Sequence, residues 1–266
     1  MTTTLRITSC QAPNSEYIMR ETARYLGTRL GVKIDYVEEC EWPERYARLD
    51  AGDIHAAWIC GAPYVRRVAS RAPSIELLAA PVWRAPRYGD QPVYFSDVMV
   101  RNDHPAQSFA DLRGATFAYN EPGSLSGYEA VRFHLAMLGE RSSYFGRVVA
   151  SGSHQRSLRL ILAGKVDAAA IDTTVLEEEL RADPDLAHHL RAIATLGPSP
   201  MPPWVASLAL SADLRAVLRQ ALIAIHEDEA GAAILAVTPV ARFAAVSDED
   251  YESVRRMLRL AEQVHL

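Results

Sequence analysis

Short apolar runs alternate with amphipathic stretches along the first hundred residues. Leu5-Arg6-Ile7-Thr8-Ser9, Val32-Lys33-Ile34-Asp35-Tyr36-Val37 and Ile54-His55-Ala56-Ala57-Trp58-Ile59 have strand length and β-prone composition. Between them, the stretches from about Ser15 to Leu30 and from Trp42 to Asp50 repeat their apolar residues at helical spacing. Gly31 and Gly52 stand where the C-caps of those helices belong. The alternation predicts βαβ units, hence a parallel sheet with helices on its faces. Such sheets bind ligands outside the carboxyl ends of their strands, which singles out the loops Ser9–Asn14, Glu39–Trp42 and Cys60–Tyr64. The aromatic residues Trp42, Trp58 and Tyr64 either wall a cleft there or plug the seam between sheet and helices.

The pattern then restarts. Ile75 to Val82 is followed by a loop from Trp83 to Gln91, by the long strand Val93 to Val100, and by Arg101-Asn102-Asp103-His104-Pro105, whose polar, proline-broken character marks a crossing between domains. A second series follows: strands at Ala115–Tyr119, Arg147–Ser151 and Val166–Asp172, with helices opening near Ser124–Ser126, His154 and Thr173. After Leu190–Leu196, the run Gly197-Pro198-Ser199-Pro200-Met201-Pro202-Pro203 predicts a stiff, irregular return linker. A strand from Trp204 to Leu210 and helices at about Ala212–His226 and Asp248–Val264 complete the chain, with the tail expected on the first domain. The predicted fold class is α/β, with two Rossmann-like lobes: 1–100 plus 204–266, and 101–203.

One stretch of the second lobe carries candidate chemistry. Ala115-Thr116-Phe117-Ala118-Tyr119 ends in turn formers, and Ser124-Leu125-Ser126-Gly127-Tyr128 opens a helix continuing through Ala130, Val131, Phe133, His134 and Leu138. The hydroxyls thus sit at a helix N-terminus. Backbone N–H groups there lack intrahelical partners and the macrodipole adds roughly half a positive charge, so the stretch is suited to hold an oxyanion. Taken singly, such a stretch is more often only a serine N-cap. Two further polar loops, Ser151-Gly152-Ser153-His154 and Ile171-Asp172-Thr173-Thr174, meet it at one crevice if all three strands are parallel.

Composition narrows the function classes. With 266 residues, 49% of them apolar and 23% charged, the chain has material for two modest packed domains. A net charge of −5 with no Lys/Arg block leaves no electrostatic footprint for nucleic acid. No apolar run approaches the roughly 18 residues that span a bilayer. Cys10, Cys40 and Cys60 follow the first three predicted strands without Cys-x-x-Cys spacing, so neither a disulfide framework, a metal site nor a cofactor is expected. Met1 to Cys10 contains neither a basic nor an apolar export region, so a chain starting natively at Met1 is expected in the cytoplasm and a trimmed mature form in the periplasm.

Taken in order, Tyr94-Phe95-Ser96-Asp97-Val98-Met99-Val100-Arg101, Ser108-Phe109-Ala110-Asp111-Leu112-Arg113-Gly114, Pro122-Gly123-Ser124-Leu125-Ser126-Gly127-Tyr128, Ser151-Gly152-Ser153-His154-Gln155-Arg156-Ser157-Leu158 and Gly164–Asp172 resemble the phosphate/phosphonate-binding proteins of ABC transporters. The resemblance is densest from Tyr94 to Asp172. It implies the type II periplasmic-binding-protein architecture, two lobes closing over a small oxyanion, and a non-enzymatic, monomeric receptor that delivers its ligand to the transporter's membrane subunits. By the same resemblance, Ser124, Ser126 and the N–H groups of Gly127 and Tyr128 hold the phosphonate or phosphate oxygens, with His154 as a further partner. Asp172 faces the substituent or accepts a proton from the ligand, Tyr94 closes the site from the hinge, and Trp42 stands where relatives place a cleft tyrosine; Tyr64 is the further candidate that the strand-end reading supplies. Relatives usually carry Ser-Thr-Ser where this chain has Ser124-Leu125-Ser126, so Leu125 is expected either to weaken binding or to face an apolar part of the ligand.

Two other classes compete. The presence of Ser, His and Asp suggests a hydrolase, but a nucleophile elbow needs Gly-x-Ser-x-Gly and the centre of Gly123–Gly127 is Leu125. An intracellular sensor or biosynthetic protein reusing the same fold for another anion is the alternative that fold alone leaves open.

Overall fold

A computed structural model describes residues 4–266 and divides them into two compact units, one comprising the chain up to Val93 with Pro200–Glu252, the other Tyr94–Ser199 with Ser253–Leu266. In the first unit the elements are β1 (Thr4–Ser9), α1 (Glu16–Leu30), β2 (Lys33–Val37), α2 (Trp42–Asp50), β3 (Ala56–Trp58), α3 (Gly61–Val68) and β4 (Ile75–Trp83). Parallel pairing of β1 with both β2 and β3 is the expected βαβ arrangement. Helix α1 turns Ile18, Met19, Thr22, Ala23 and Leu26 inward at helical spacing, and Gly31 closes it in the left-handed conformation at φ 63°, which a side chain would resist.

The second unit opens with β5 (Val93–Arg101). Then come β6 (Thr116–Tyr119), α4 (Ala130–Met137), β7 (Arg147–Ala150), α5 (His154–Leu162), β8 (Ala168–Asp172), α6 (Thr173–Ala182), the short α7 (Leu186–His189) and β9 (Leu190–Pro200). The chain returns to the first unit with β10 (Trp204–Ser207), α8 (Ala212–Ile223), α9 (Glu229–Ala236) and β11 (Val240–Ala244), and finishes with α10 (Glu252–Ala261). The sheet orders are β11-β4-β10-β3-β1-β2 and β7-β6-β8-β5-β9.

Strand β6 runs parallel to both β7 and β8, so the carboxyl ends of these three strands lie on one edge of the second sheet. Central strand β8 reads Ala-Ala-Ala-Ile because it is covered on both faces. Its Ala169 and Ile171 pack with Met99, Ala118, Leu158, Ile161 and Leu176. Helix α5 contributes Leu158 and Ile161 to that core, and the same helical stripe carries His154 and Ser157 inward.

Three boundaries differ from the sequence expectation. The first crossing falls at Val93–Tyr94, not near 101, because β5 pairs antiparallel with β8 from Ser96↔Asp172 to Val100↔Ala168. The supposed irregular linker is in part regular: β9 extends through Pro198 to Pro200, tolerated because β9 is an edge strand where a missing N–H costs no ladder bond. The tail from Ser253 belongs to the second unit, not the first. Arg132 holds it there, donating from Nε to the Val264 carbonyl and from Nη2 to the Ala261 carbonyl, each at 2.7 Å.

Candidate anion site

The site is built where β6 gives way to α4. Ser124 is extended (φ −70°, ψ 129°) and caps the helix, its Oγ accepting from the Gly127 N–H at 3.0 Å. The next five residues, Leu125–Glu129, form a π-turn: the Ala130 N–H reaches the Leu125 carbonyl, and the Glu129 N–H reaches that of Ser124 at 3.0 Å. Such wide single turns are rare and recur at functional sites. The cap changes the expected donor set, since the Gly127 N–H is already engaged. Its acceptor is a hydroxyl, and that hydroxyl's proton is left to point elsewhere.

Ser126 Oγ lies 3.4 Å from Ser124 Oγ and 3.0 Å from His154 Nε2. His154 is brought there as the first residue of α5, which Ser153 caps by accepting from the Arg156 N–H at 3.1 Å. The two helix starts are tied to β6 by Ser151, whose Oγ donates to the Tyr119 carbonyl at 3.0 Å and shares 2.7 Å with Ser157 Oγ. The Gly152 N–H adds a bond to the Asn120 carbonyl at 2.9 Å. Gly127 is required by packing, because a Cβ there would sit 2.0 Å from Asn120 Oδ1 and 3.1 Å from His154 Cε1. Ser124, Ser126 and His154 are exposed by 5%, 4% and 5%.

Burial sets the charge states. The His154 imidazole is pushed down to about 4 by desolvation, partly offset by the backbone of Ala170, so it is neutral at pH 7. A neutral ring protonated on Nε2 donates to Ser126 Oγ and turns that hydroxyl's proton outward; protonated on Nδ1, it accepts from Ser126 instead. An oxyanion beside the hydroxyls favours the first arrangement. Asp172 is pushed up to about 6 by burial, against hydrogen bonds from Thr174, whose N–H and Oγ1 lie 2.8 and 2.7 Å from Oδ1. Glu121 is likewise raised by burial.

Ser124, Ser126, Gly127, Tyr128 and His154 are therefore gathered at one end of the second unit. Asp172 ends β8 on the same sheet edge as β6, and Tyr94 is buried two residues before Ser96, the cross-strand partner of Asp172. The Phe95 N–H donates to Thr173 Oγ1 at 3.2 Å. The ring of Tyr128 is packed between Tyr119, at 4.9 Å, and the Arg132 guanidinium, at 5.2 Å.

Two expected ligand contacts are placed otherwise. Leu125 is 0% exposed, so its side chain is enclosed by protein and presents no exposed apolar surface. Tyr64 is buried in the first unit, donating to Asp248 Oδ1 at 2.6 Å with its ring edge on Tyr251 at 4.8 Å, which makes it a packing residue. Trp42, the first residue of α2, is half-buried in that unit. Asn120, which shapes the turn, and Thr174, which holds Asp172, were missed. The Asp-x-Thr spacing of a helix cap signals the second, whereas the first requires knowing that its carboxamide meets Gly127. Among the described residues no cluster of His, Cys, Asp and Glu is arranged for a metal ion.

Residues 7–251 match the family described as ABC transporter, phosphonate, periplasmic substrate-binding protein. Among solved structures, a binding protein component of an ABC phosphonate transporter from Pseudomonas aeruginosa superposes with TM-score 0.83 at 18% identity, over 98% of this chain and 87% of its own. A Prochlorococcus marinus protein in complex with methylphosphonate gives the same TM-score and identity over 98% and 99%. A Xanthomonas citri protein bound to ATP gives TM-score 0.77 at 15% identity over 99% and 100%. These likenesses place the fold in the type II periplasmic-binding-protein class.

Proposed function

Since the chain belongs to the family of periplasmic substrate-binding proteins of phosphonate ABC transporters, we propose that its second unit holds the phosphonate group of a small ligand in the Ser124–Ser126–His154 cradle. The observation that carries this reading is the buried line of donors at two helix starts, in which the Gly127 N–H engages Ser124 and His154 engages Ser126. Each hydroxyl is thereby oriented, and a helix N-terminus favours the negative charge. With His154 neutral, the cradle stabilises an oxyanion by hydrogen bonds, not by a fixed cation. Asp172 and Tyr94 flank the substituent.

In this reading the protein is a monomeric receptor that performs no chemistry, has no nucleic-acid partner, and passes its ligand to the membrane subunits of a transporter. Among the described residues no helix is long and apolar enough to cross a membrane. The serine–histidine pair lacks the setting of a nucleophile, because Ser124 and Ser126 flank the buried Leu125 and both hydroxyls lie in caps and turns.

Thermal unfolding with methylphosphonate, aminoalkylphosphonates, phosphite, phosphate and ATP tests the assignment. Ligand binding only to the native state adds RT ln(1 + [L]/Kd), roughly 2.7 kcal/mol at a hundredfold excess over Kd. A rise in melting temperature with one or more phosphonates and none with ATP is expected. A rise with ATP alone overturns the reading.

A further inference from the structure

Glu129 ends the π-turn and is only 1% exposed, so a carboxylate is buried within one turn of the proposed anion site. A buried charge must be paired, and next to a bound oxyanion an unpaired one also repels the ligand. Arg132, one turn along α4, pairs with it, with Nη1 at 2.7 Å from Glu129 Oε2. The remaining donors of the same guanidinium reach the last residues of the chain: Nε to the Val264 carbonyl at 2.7 Å, and Nη2 to the Ala261 carbonyl at 2.7 Å and the Glu262 carbonyl at 3.3 Å. Its face lies over the Tyr128 ring at 5.2 Å.

The geometry points to Arg132 as a positioning residue for the anion cradle, acting as a bracket between the cradle's π-turn and the chain's C-terminal segment. Three features make the bracket specific. Carbonyls at the end of α10 lack their i+4 helical donors and accept a cation well. A planar guanidinium can serve a carboxylate and two or three carbonyls at once, which a lysine ammonium on a flexible stem cannot do in the same geometry. Through Glu129, whose own N–H donates to the Ser124 carbonyl, the bracket connects to the capping serine. The C-terminal segment, remote in sequence, thereby helps fix where Ser124 and Ser126 point. The ligand part of this inference rests on the phosphonate reading; the bracket itself does not.

Two measurements separate them. Backbone hydrogen exchange of the ligand-free protein reads the bracket directly: Arg132→Met, and a chain truncated after Leu260, should each speed exchange of the Leu125–Glu129 amides at least tenfold while β8 amides exchange as in the parent. Titration with methylphosphonate reads its effect on binding. Arg132→Met should weaken affinity about tenfold, Arg132→Lys should fall between, and adding Glu129→Gln to Arg132→Met should recover part of the loss. Exchange at the turn unchanged in both Arg132→Met and the truncated chain overturns the bracket. So does equal acceleration throughout the second unit, which is general destabilisation. If the parent protein binds no phosphonate while exchange responds as expected, the ligand assignment fails and the bracket stands.

Discussion

Ser126 Oγ and His154 Nε2 lie 3.0 Å apart, each at the start of a different helix and both closed off from solvent. The pair is the point where the two helix N-termini converge. A hydrogen bond to a charged group is worth roughly 1.5–3 kcal/mol, so Ser126→Ala should weaken methylphosphonate binding by about ten- to a hundredfold in calorimetric titration. Nitrogen NMR of the imidazole should show the Nε2-protonated tautomer gaining population as ligand is added. Unchanged affinity together with an unchanged ring tautomer would remove this pair from the site.

Two of the perturbed groups at this edge, Asp172 and His154, should pull stability in opposite directions with pH. For Asp172 the folded value, about 6, lies above the reference 3.8, so the fold binds a proton the unfolded chain does not, and stability is lost as pH rises from about 4 through 6. For His154 the folded value, about 4, lies below the reference 6.5, so stability is full above 6.5 and lost as pH falls towards 4. Each displacement corresponds to something on the order of 2–3 kcal/mol. The parent protein should therefore show a flattened profile between pH 4 and 6.5. Asp172→Asn should steepen the acid loss, and His154→Asn should reverse it, in urea midpoints measured across that range. Parallel profiles for all three proteins would mean that neither group titrates as its burial requires.

How far the sequence reaches depends on whether a feature is local. The parallel strands β6, β7 and β8 and the helix starts at Ser124, His154 and Thr173 follow from periodicity and capping residues, and they bring the Ser124–Ser126 and His154 loops to one sheet edge. The placement of β5 in the second sheet, and of residues after Ser253 with the second unit, was not legible because both rest on contacts far apart in sequence, Ser96↔Asp172 and Arg132 to Val264. Helices α3, α7 and α9 and strand β11 are not expected from the sequence pattern: α3 begins inside a loop motif at Gly61, α7 and α9 are short, and β11 is a five-residue strand at a sheet edge. Within the site, residue type suggested that Ser126 and His154 converge, whereas the expectation that Leu125 faces a ligand does not anticipate its enclosure, since a residue between two exposed-looking serines gives no sign of which way a π-turn rotates it.

Gly127→Ala should be far more damaging than a helical Gly→Ala exchange usually is. In an ordinary helix the change is worth roughly 1 kcal/mol in favour of alanine. Here the new methyl meets Asn120 Oδ1 at 2.0 Å, and the turn must open or Asn120 must move. Overpacking of this kind costs roughly 1–3 kcal/mol. A lowered denaturation midpoint and weakened ligand binding are expected, both partly restored by Asn120→Ala in the same chain. An alanine variant as stable as the parent would show that the turn is loosely packed.

Leu125→Thr restores the residue that the family resemblance leads one to expect, and the structure argues that it will not help. The Leu125 side chain is fully enclosed, so a threonine there exchanges apolar volume for a hydroxyl. Leaving that hydroxyl without a partner costs roughly 1–3 kcal/mol, and the lost volume adds a cavity term. With residue 125 closed off from solvent, the new oxygen is not offered to a ligand held by Ser124 and Ser126. The expected result is a protein less stable to urea whose affinity for methylphosphonate is no higher than the parent's. Tighter binding by the threonine variant would mean that the π-turn rotates on binding to bring residue 125 to the ligand, and the cradle would have to be redrawn with three side chains instead of two.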